Sequence, residues 1–263
     1  MRRRLGGIVV LALLLAGGFP VAYDQALAVR TVPRPSSAAT FSQGTSPIQP
    51  GAFVATPVGG CTMNFIFQDK KGKLYVGTAG HCFEKVGDRA RAEPNPGSAL
   101  STLDRLFDFG SAVFIEFDED NPSIDFALIR IDRDHYNKVN PAMRFWGGPT
   151  GVTSAPETRA GDLLLAYGYG LGFDVTPVTR PRTRVLVDDD ATHYTSQSAS
   201  MFGDSGSPIT HRATGKALGI DSRFNLVDVP PTTDAGPTVE HILRRLTAAG
   251  WRLRIVTAPY RVS

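Results

Sequence analysis

The chain is a succession of short strand-like segments with almost no helix between them. CTMNFIFQ (61–68), KLYVGTAGH (73–81), GSAVFIEFD (110–118), DFALIRID (125–132), DLLLAYGYG (162–170), TRVLVDDD (183–190) and KALGIDSRF (216–224) read as strands. Pro- and Gly-rich loops separate them, and Asp69-Lys70-Lys71-Gly72 reads as a hairpin turn between the first two. Strands that follow one another without crossover helices do not build a parallel sheet. They predict an all-β barrel or sandwich. One segment departs from the pattern. In TVEHILRRLTAAG (238–250), Val239, Ile242, Leu243 and Leu246 share one helical face, and Gly250 is placed to end the helix. WRLRIVTA (251–258) then reads as one more strand.

The packed domain is expected over 51–263. Arg2-Arg3-Arg4, the apolar run 5–19 and Ala26-Leu27-Ala28 have the form of a secretory signal over residues 1–28. The apolar run is shorter than the ~20 residues that a membrane span needs. Residues 29–50, rich in Pro, Ser and Thr, read as a flexible linker or short propeptide. The segment 1–28 carries three Arg and one Asp, so a formal charge of +3 becomes +1 without it. So small a net charge offers no electrostatic case for nucleic acid. Hydrophobic content of 42% and charged content of 20% fit a folded globular chain. The two cysteines, Cys61 and Cys82, could form a disulfide in an exported protein, or remain thiols. His81 is the one other soft ligand near them, too few for a metal site. Asp188-Asp189-Asp190 reads as a solvated turn in preference to a calcium loop.

The chemistry concentrates in three places. MFGDSGSPI (201–209) places Ser205 among glycines that let a substrate approach the backbone. A serine hydroxyl is a weak nucleophile, so it needs a base and a group to orient that base. His81, in the small-residue corner Thr78-Ala79-Gly80-His81-Cys82 at a strand end, is the candidate base. Asp125 opens the apolar run Phe126-Ala127-Leu128-Ile129, which predicts burial, and is the candidate acid.

TAGHC, DFALI and GDSGSP, in that order and 44 and then 80 residues apart, resemble the chymotrypsin-like (trypsin-fold) serine peptidases. The stretch 61–82 is similar to the bacterial streptogrisin branch, which implies a Cys61–Cys82 disulfide. The resemblance covers about 58–225. It implies two antiparallel β-barrels, about 51–150 and 151–237, with the active site in the cleft between them, followed by the C-terminal helix and strand (238–258). It implies a catalytic triad of His81, Asp125 and Ser205, an oxyanion hole from the backbone N–H groups of Gly203 and Ser205, and no cofactor. Ala199 would form the base of the specificity pocket, with Ser200, Ser222 and the strand 219–223 as its walls. An alanine base predicts a small or apolar residue before the cleaved bond. Asp221 and Arg223 depart from the family's usual wall residues. Asp204 would pair with a buried cation, in the family often a new amino terminus. No Arg/Lys-Ile-Val-Gly-Gly activation site is present, so Arg180, Arg182 and Arg184 are the candidates.

The function implied is a secreted, monomeric serine endopeptidase acting on polypeptide substrates, with no nucleic acid and no stable membrane association. Two other readings compete. An α/β-hydrolase elbow, G-x-S-x-G, would need glycine at Ser207 and βα alternation, and neither is present. A secreted non-catalytic binding protein on the same fold is the second alternative.

Overall fold

A computed structural model of the protein describes residues 46–94, 105–170, 181–197, 200–225 and 233–262. The leader 1–28, residues 29–45 of the expected linker, Arg180 and Ala199 lie outside the described residues. The strands are β1 (Phe53–Ala55), β2 (Gly60–Thr62), β3 (Ile66–Asp69), β4 (Leu74–Thr78), β5 (Arg89–Ala92), β6 (Phe107–Phe117), β7 (Asp125–Ile131), β8 (Leu163–Tyr167), β9 (Pro181–Asp189), β10 (His193–Gln197), β11 (Pro208–His211), β12 (Ala217–Ile220), β13 (Arg223–Asn225) and β14 (Thr233–Pro237). Helix α1 (Val239–Ala248) and strand β15 (Leu253–Ile255) follow. The strands form two antiparallel sheets, ordered β15-β3-β4-β7-β6-β5-β1-β2 and β12-β11-β8-β9-β10-β14-β13. They curl into a half-barrel and a near-barrel.

Strand β7 shows why these sheets pack on both faces. Ala127, Ile129 and Ile131 point into a cluster inside the first sheet, with Val54, Met63, Val76 and Phe109. Phe126 and Leu128 point the other way, into a second cluster. That cluster joins Phe65 and Phe67 of the first sheet to Leu165, Tyr167 and Ile220 of the second and to Val239, Ile242 and Leu246 of α1. A period-2 strand with apolar residues on both faces belongs between two packed layers. Each of these large side chains contributes roughly 1.5–3 kcal/mol by leaving water. Inside the second sheet, Leu164, Ala166, Leu186, Tyr194, Ile209 and Leu218 form a smaller cluster.

The strand expected over 61–68 is two strands. Between them Asn64 N–H donates to Gly77 O (2.8 Å) and Phe65 N–H to the Asn64 side-chain oxygen (2.8 Å). Asn64 thereby serves the backbone at a corner where the chain changes direction. Packing also starts earlier than Gly51: Ile48 is fully buried in the inner cluster of the first sheet and bridges to Val139.

Helix α1 falls where its apolar stripe predicts. Thr238 caps it, its hydroxyl accepting from His241 N–H (3.2 Å), a contact of about 1 kcal/mol. Gly250, at φ +89°, turns the chain out of it. The segment that follows has a clear place: β15 pairs with β3, Leu253 opposite Asp69 and Ile255 opposite Phe67, at the edge of the first sheet. The chain thus leaves the second sheet, crosses on α1 and finishes on the first. No helix among the described residues is long and apolar enough to cross a membrane.

Candidate active site

The His81 corner is held from three sides. Gly80–Cys82 form one turn of 3₁₀ helix directly after β4. A Cβ on Gly80 would run into Glu116 O and Phe126 N of the adjacent strands β6 and β7, so only glycine allows this approach. Cys82 is bonded to Cys61 of β2 in a disulfide. Closing a loop of that size stabilises the fold by about 3 kcal/mol in the chain-entropy model. Thr78 Oγ1 donates to Thr62 O (2.8 Å), tying β4 to β2 a second time.

Asp125, the first residue of β7, is fully buried. Its Oδ1 accepts from His81 N–H (2.9 Å), and its Oδ2 lies 2.7 Å from His81 Nδ1. The carboxylate therefore holds both the backbone and the ring of His81. With Nδ1–H donating to it, Nε2 is the nitrogen left to accept a proton. Ser222 Oγ donates to the same Oδ2. The His81 side chain is 30% exposed, and the ring of Phe117 meets it edge-on at 5.7 Å.

The Ser205 loop is docked onto both sheets. Thr62 N–H donates to Ser205 O (2.8 Å), and Thr62 Oγ1 donates to Gly203 O (2.7 Å). Gly206 N–H donates to Asp221 O (2.6 Å) and Asp221 N–H to Ser207 O (2.8 Å). Gly206 has φ +88°, and a Cβ there would strike Thr62 O, Thr78 Oγ1 and Ala79 N. This packing sets Gly206, the residue after Ser205, against Thr78 and Ala79 of the corner that carries His81. Asp204, Gly206 and Ser207 donate their N–H groups within the protein. Among the described residues those of Gly203 and Ser205 donate to none, and the Ser205 hydroxyl makes no hydrogen bond. Gly203, at φ +101°, has the backbone geometry that a side chain would disfavour.

The partner of Asp204 is Arg182. Its two terminal nitrogens meet the two carboxylate oxygens at 2.5 Å each, and both side chains are 1% exposed. Gly170 N–H (2.8 Å) and Met201 N–H (3.0 Å) donate to the same carboxylate. A buried guanidinium on β9 thus holds the serine loop from behind, in the place where the resemblance puts a cationic partner.

Two residues farther along β9, Arg184 is also fully buried. Its Nη2 donates to Asp221 Oδ2 (2.6 Å) and to Ser200 Oγ (2.8 Å), and its Nη1 lies 3.1 Å from Asp234 Oδ2. Ser200 Oγ in turn donates to Asp221 Oδ2 (2.7 Å). Burial alone would drive the guanidinium toward neutrality. Asp221 and Asp234 more than offset that, so its pKa lies above the usual arginine value.

Of the expected pocket residues, Ser200 faces Arg184 and Asp221, and Ser222 spends its hydroxyl on Asp125 instead of leaving it to a substrate. Sequence reading did not single out Thr62, and it named Arg184, Ser200 and Asp221 without joining them in one cluster. The signals present were an inward position beside Cys61 and the alternation Arg182-Thr183-Arg184 within a strand. Cys61, His81 and Cys82 lie together, but both sulfurs are spent in the disulfide, so no thiolate is left for a metal. Asp190 caps its own turn, accepting from Thr192 and His193 N–H groups. Asp189 accepts from Thr158 Oγ1 (2.5 Å).

No protein-family model and no curated protein matches the chain. Solved structures do. Protease A of Thermobifida fusca superposes with a TM-score of 0.55 at 18% identity, over 81% of this chain and 100% of its own. A glutamic acid-specific serine protease described as using a histidine triad in substrate binding superposes with a TM-score of 0.52 at 16% identity, over 80% of this chain and 100% of its own. A Cellulomonas bogoriensis chymotrypsin reaches 0.50 at 17% identity, over 80% of this chain and 98% of its own.

Proposed function

The chain has the fold of the bacterial chymotrypsin-like serine proteases, and from that premise we propose that it is a secreted serine endopeptidase. The observation that carries the reading is the buried Asp125 carboxylate gripping His81 at both its backbone N–H and its Nδ1. A carboxylate so placed fixes the ring and leaves Nε2 as a general base.

In the proposed reaction, Ser205 Oγ attacks the scissile carbonyl while its proton passes to His81 Nε2. Asp125 stabilises the imidazolium that results. The carbonyl oxygen becomes an oxyanion, received by the N–H groups of Gly203 and Ser205. A donor of that kind contributes about 3 kcal/mol to lowering the barrier. Collapse breaks the C–N bond, and the imidazolium gives its proton to the leaving amine. Water then repeats the sequence on the acyl-enzyme, with His81 again as base, and frees Ser205. Arg182, through Asp204, holds the loop that carries both N–H groups. The disulfide and the leader-like segment support secretion, since such bonds persist in oxidising compartments.

A fluorophosphonate probe tests the proposal. Labelling of the wild type and none of Ser205→Ala is the expected result. A correctly processed wild type that stays unlabelled overturns it in favour of a binding protein on the same fold.

A further inference from the structure

We infer that Arg184 is a built-in plug of the specificity pocket, which restricts the residue before the cleaved bond to a small side chain. The inference rests on the peptidase reading, since only then do Ser200 and the segment 219–223, which links β12 to β13, wall a pocket for substrate. Of the polar side chains on those walls, Ser222 donates to Asp125 and Arg223 to the backbone oxygen of Asp118, which leaves the Ser200 hydroxyl and the Asp221 carboxylate. Both are already taken by one guanidinium, at 2.8 and 2.6 Å. The same guanidinium lies against Asp234, on β14, which is antiparallel to β13 just beyond Ser222.

Three features make this a plug and not a surface contact. First, Arg184 has no exposed side-chain surface, and Asp221 is almost as deeply buried, so a substrate side chain has no route to either. Second, the arginine is aimed inward by strand geometry. Along β9, Arg182, Arg184 and Leu186 face the interior, while Val185 and Val187 face out. Third, the charges are arranged as in a site for a basic side chain. A carboxylate from the β12–β13 link, a second from β14 and a hydroxyl surround one guanidinium, with hydrogen bonds short enough to be charge-assisted. The protein fills with its own arginine the space that a substrate arginine would otherwise occupy. With the cation supplied and the volume taken, what remains above it suits Gly, Ala or Ser. Leaving Asp221 buried without its partner carries a large penalty, so a substrate carboxylate has little power to draw Arg184 away.

The test begins with the unmodified protein. Peptide substrates varied at the residue before the scissile bond should give the highest kcat/KM with Gly, Ala or Ser, by roughly 100-fold over Arg, Lys, Phe and Glu. Removing the plug in Arg184→Gly should raise the Arg-to-Ala ratio of kcat/KM by about 10-fold or more, because a substrate guanidinium then takes the vacated place. Independently of catalysis, millimolar N-ethylguanidinium should raise the melting temperature of Arg184→Gly and leave that of the wild type unchanged. A wild type that labels with the fluorophosphonate probe yet cleaves best after Arg, Lys, Phe or Glu overturns the plug and leaves the peptidase reading intact. An unlabelled wild type whose Arg184→Gly variant still responds to N-ethylguanidinium overturns the peptidase reading and supports the plugged cavity. An Arg184→Gly protein that keeps the wild-type profile and ignores the ligand overturns the plug. If that variant does not fold, the wild-type substrate profile decides.

Discussion

Arg182 and Asp204 form a two-pronged ion pair, 2.5 Å on each side, with both side chains 1% exposed. The pair links a strand of the second sheet to the residue directly before Ser205. It makes the conformation of the serine loop a property of the folded chain, with no new amino terminus required. Whatever disturbs it should affect activity and stability by separable routes.

Arg182→Met leaves a buried carboxylate with one charge partner fewer, and should lower unfolding free energy by about 3–5 kcal/mol. The double change Arg182→Met/Asp204→Leu removes both charges and should recover much of that stability. It should not recover peptidase activity, because the loop loses the groups that orient it. Urea melts and probe labelling of the three proteins separate the two effects. Recovery of activity along with stability in the double variant would show that the pair matters only for folding.

Asp125→Asn nearly keeps the shape of the side chain but reverses the hydrogen-bond preference at His81 Nδ1. The expected loss is about 10⁴-fold in kcat, with a folded protein and little change in KM. Ser222→Ala removes one donor to the same carboxylate and should cost about 1 kcal/mol of stability. Steady-state kinetics on one good peptide substrate checks the first, and a urea melt checks the second. An Asp125→Asn protein within 10-fold of wild type would remove Asp125 from the chemistry.

The Cys61–Cys82 disulfide lies immediately beside His81. Replacing both cysteines with alanine should lower stability by about 3 kcal/mol. It should also reduce kcat more than it raises KM, since His81, the proposed base, loses an anchor. Denaturant midpoints and kinetics on the same preparation report the two quantities. Unchanged kinetics at reduced stability would mean that the 3₁₀ turn and Gly80 suffice to place the ring.

His241 gives a pH dependence of known sign. Burial, then Arg244 and Arg245, push its imidazole below the usual 6.5, against smaller opposing pulls from Glu116 and Asp190. Its Nε2 is buried with no hydrogen-bond partner, so the folded state prefers the neutral ring. The related stability is fully present above pH 6.5 and is lost as pH falls through the lower folded value. His241→Gln should therefore stand better relative to wild type at pH 5 than at pH 8, measured as urea midpoints. An equal difference at both pH values would contradict this.

Local rules read the elements well wherever one face decides the outcome. The stripe Val239, Ile242, Leu246 gives α1 almost to the residue, and the apolar run after Asp125 gives β7 and its burial. They fail where a single residue turns the chain. Nothing in the alternation of 61–68 reveals that Asn64 breaks it into β2 and β3, because that corner is set by Gly77, a partner 13 residues away.

The succession of strands without crossover helices determined the all-β class, since strand alternation is a local pattern, and the resemblance carried by TAGHC, DFALI and GDSGSP named His81, Asp125 and Ser205 as candidates. What only the tertiary structure decided is who pairs with whom among buried charges. Arg182 and Arg184 are two residues apart on one inward face, and sequence treats them as equivalent. Their fates are settled by which carboxylate another strand or loop delivers, Asp204 to one and Asp221 to the other. A buried charge takes whatever counter-charge the packed fold puts within reach, and that reach is a distance through space which no spacing along the chain encodes.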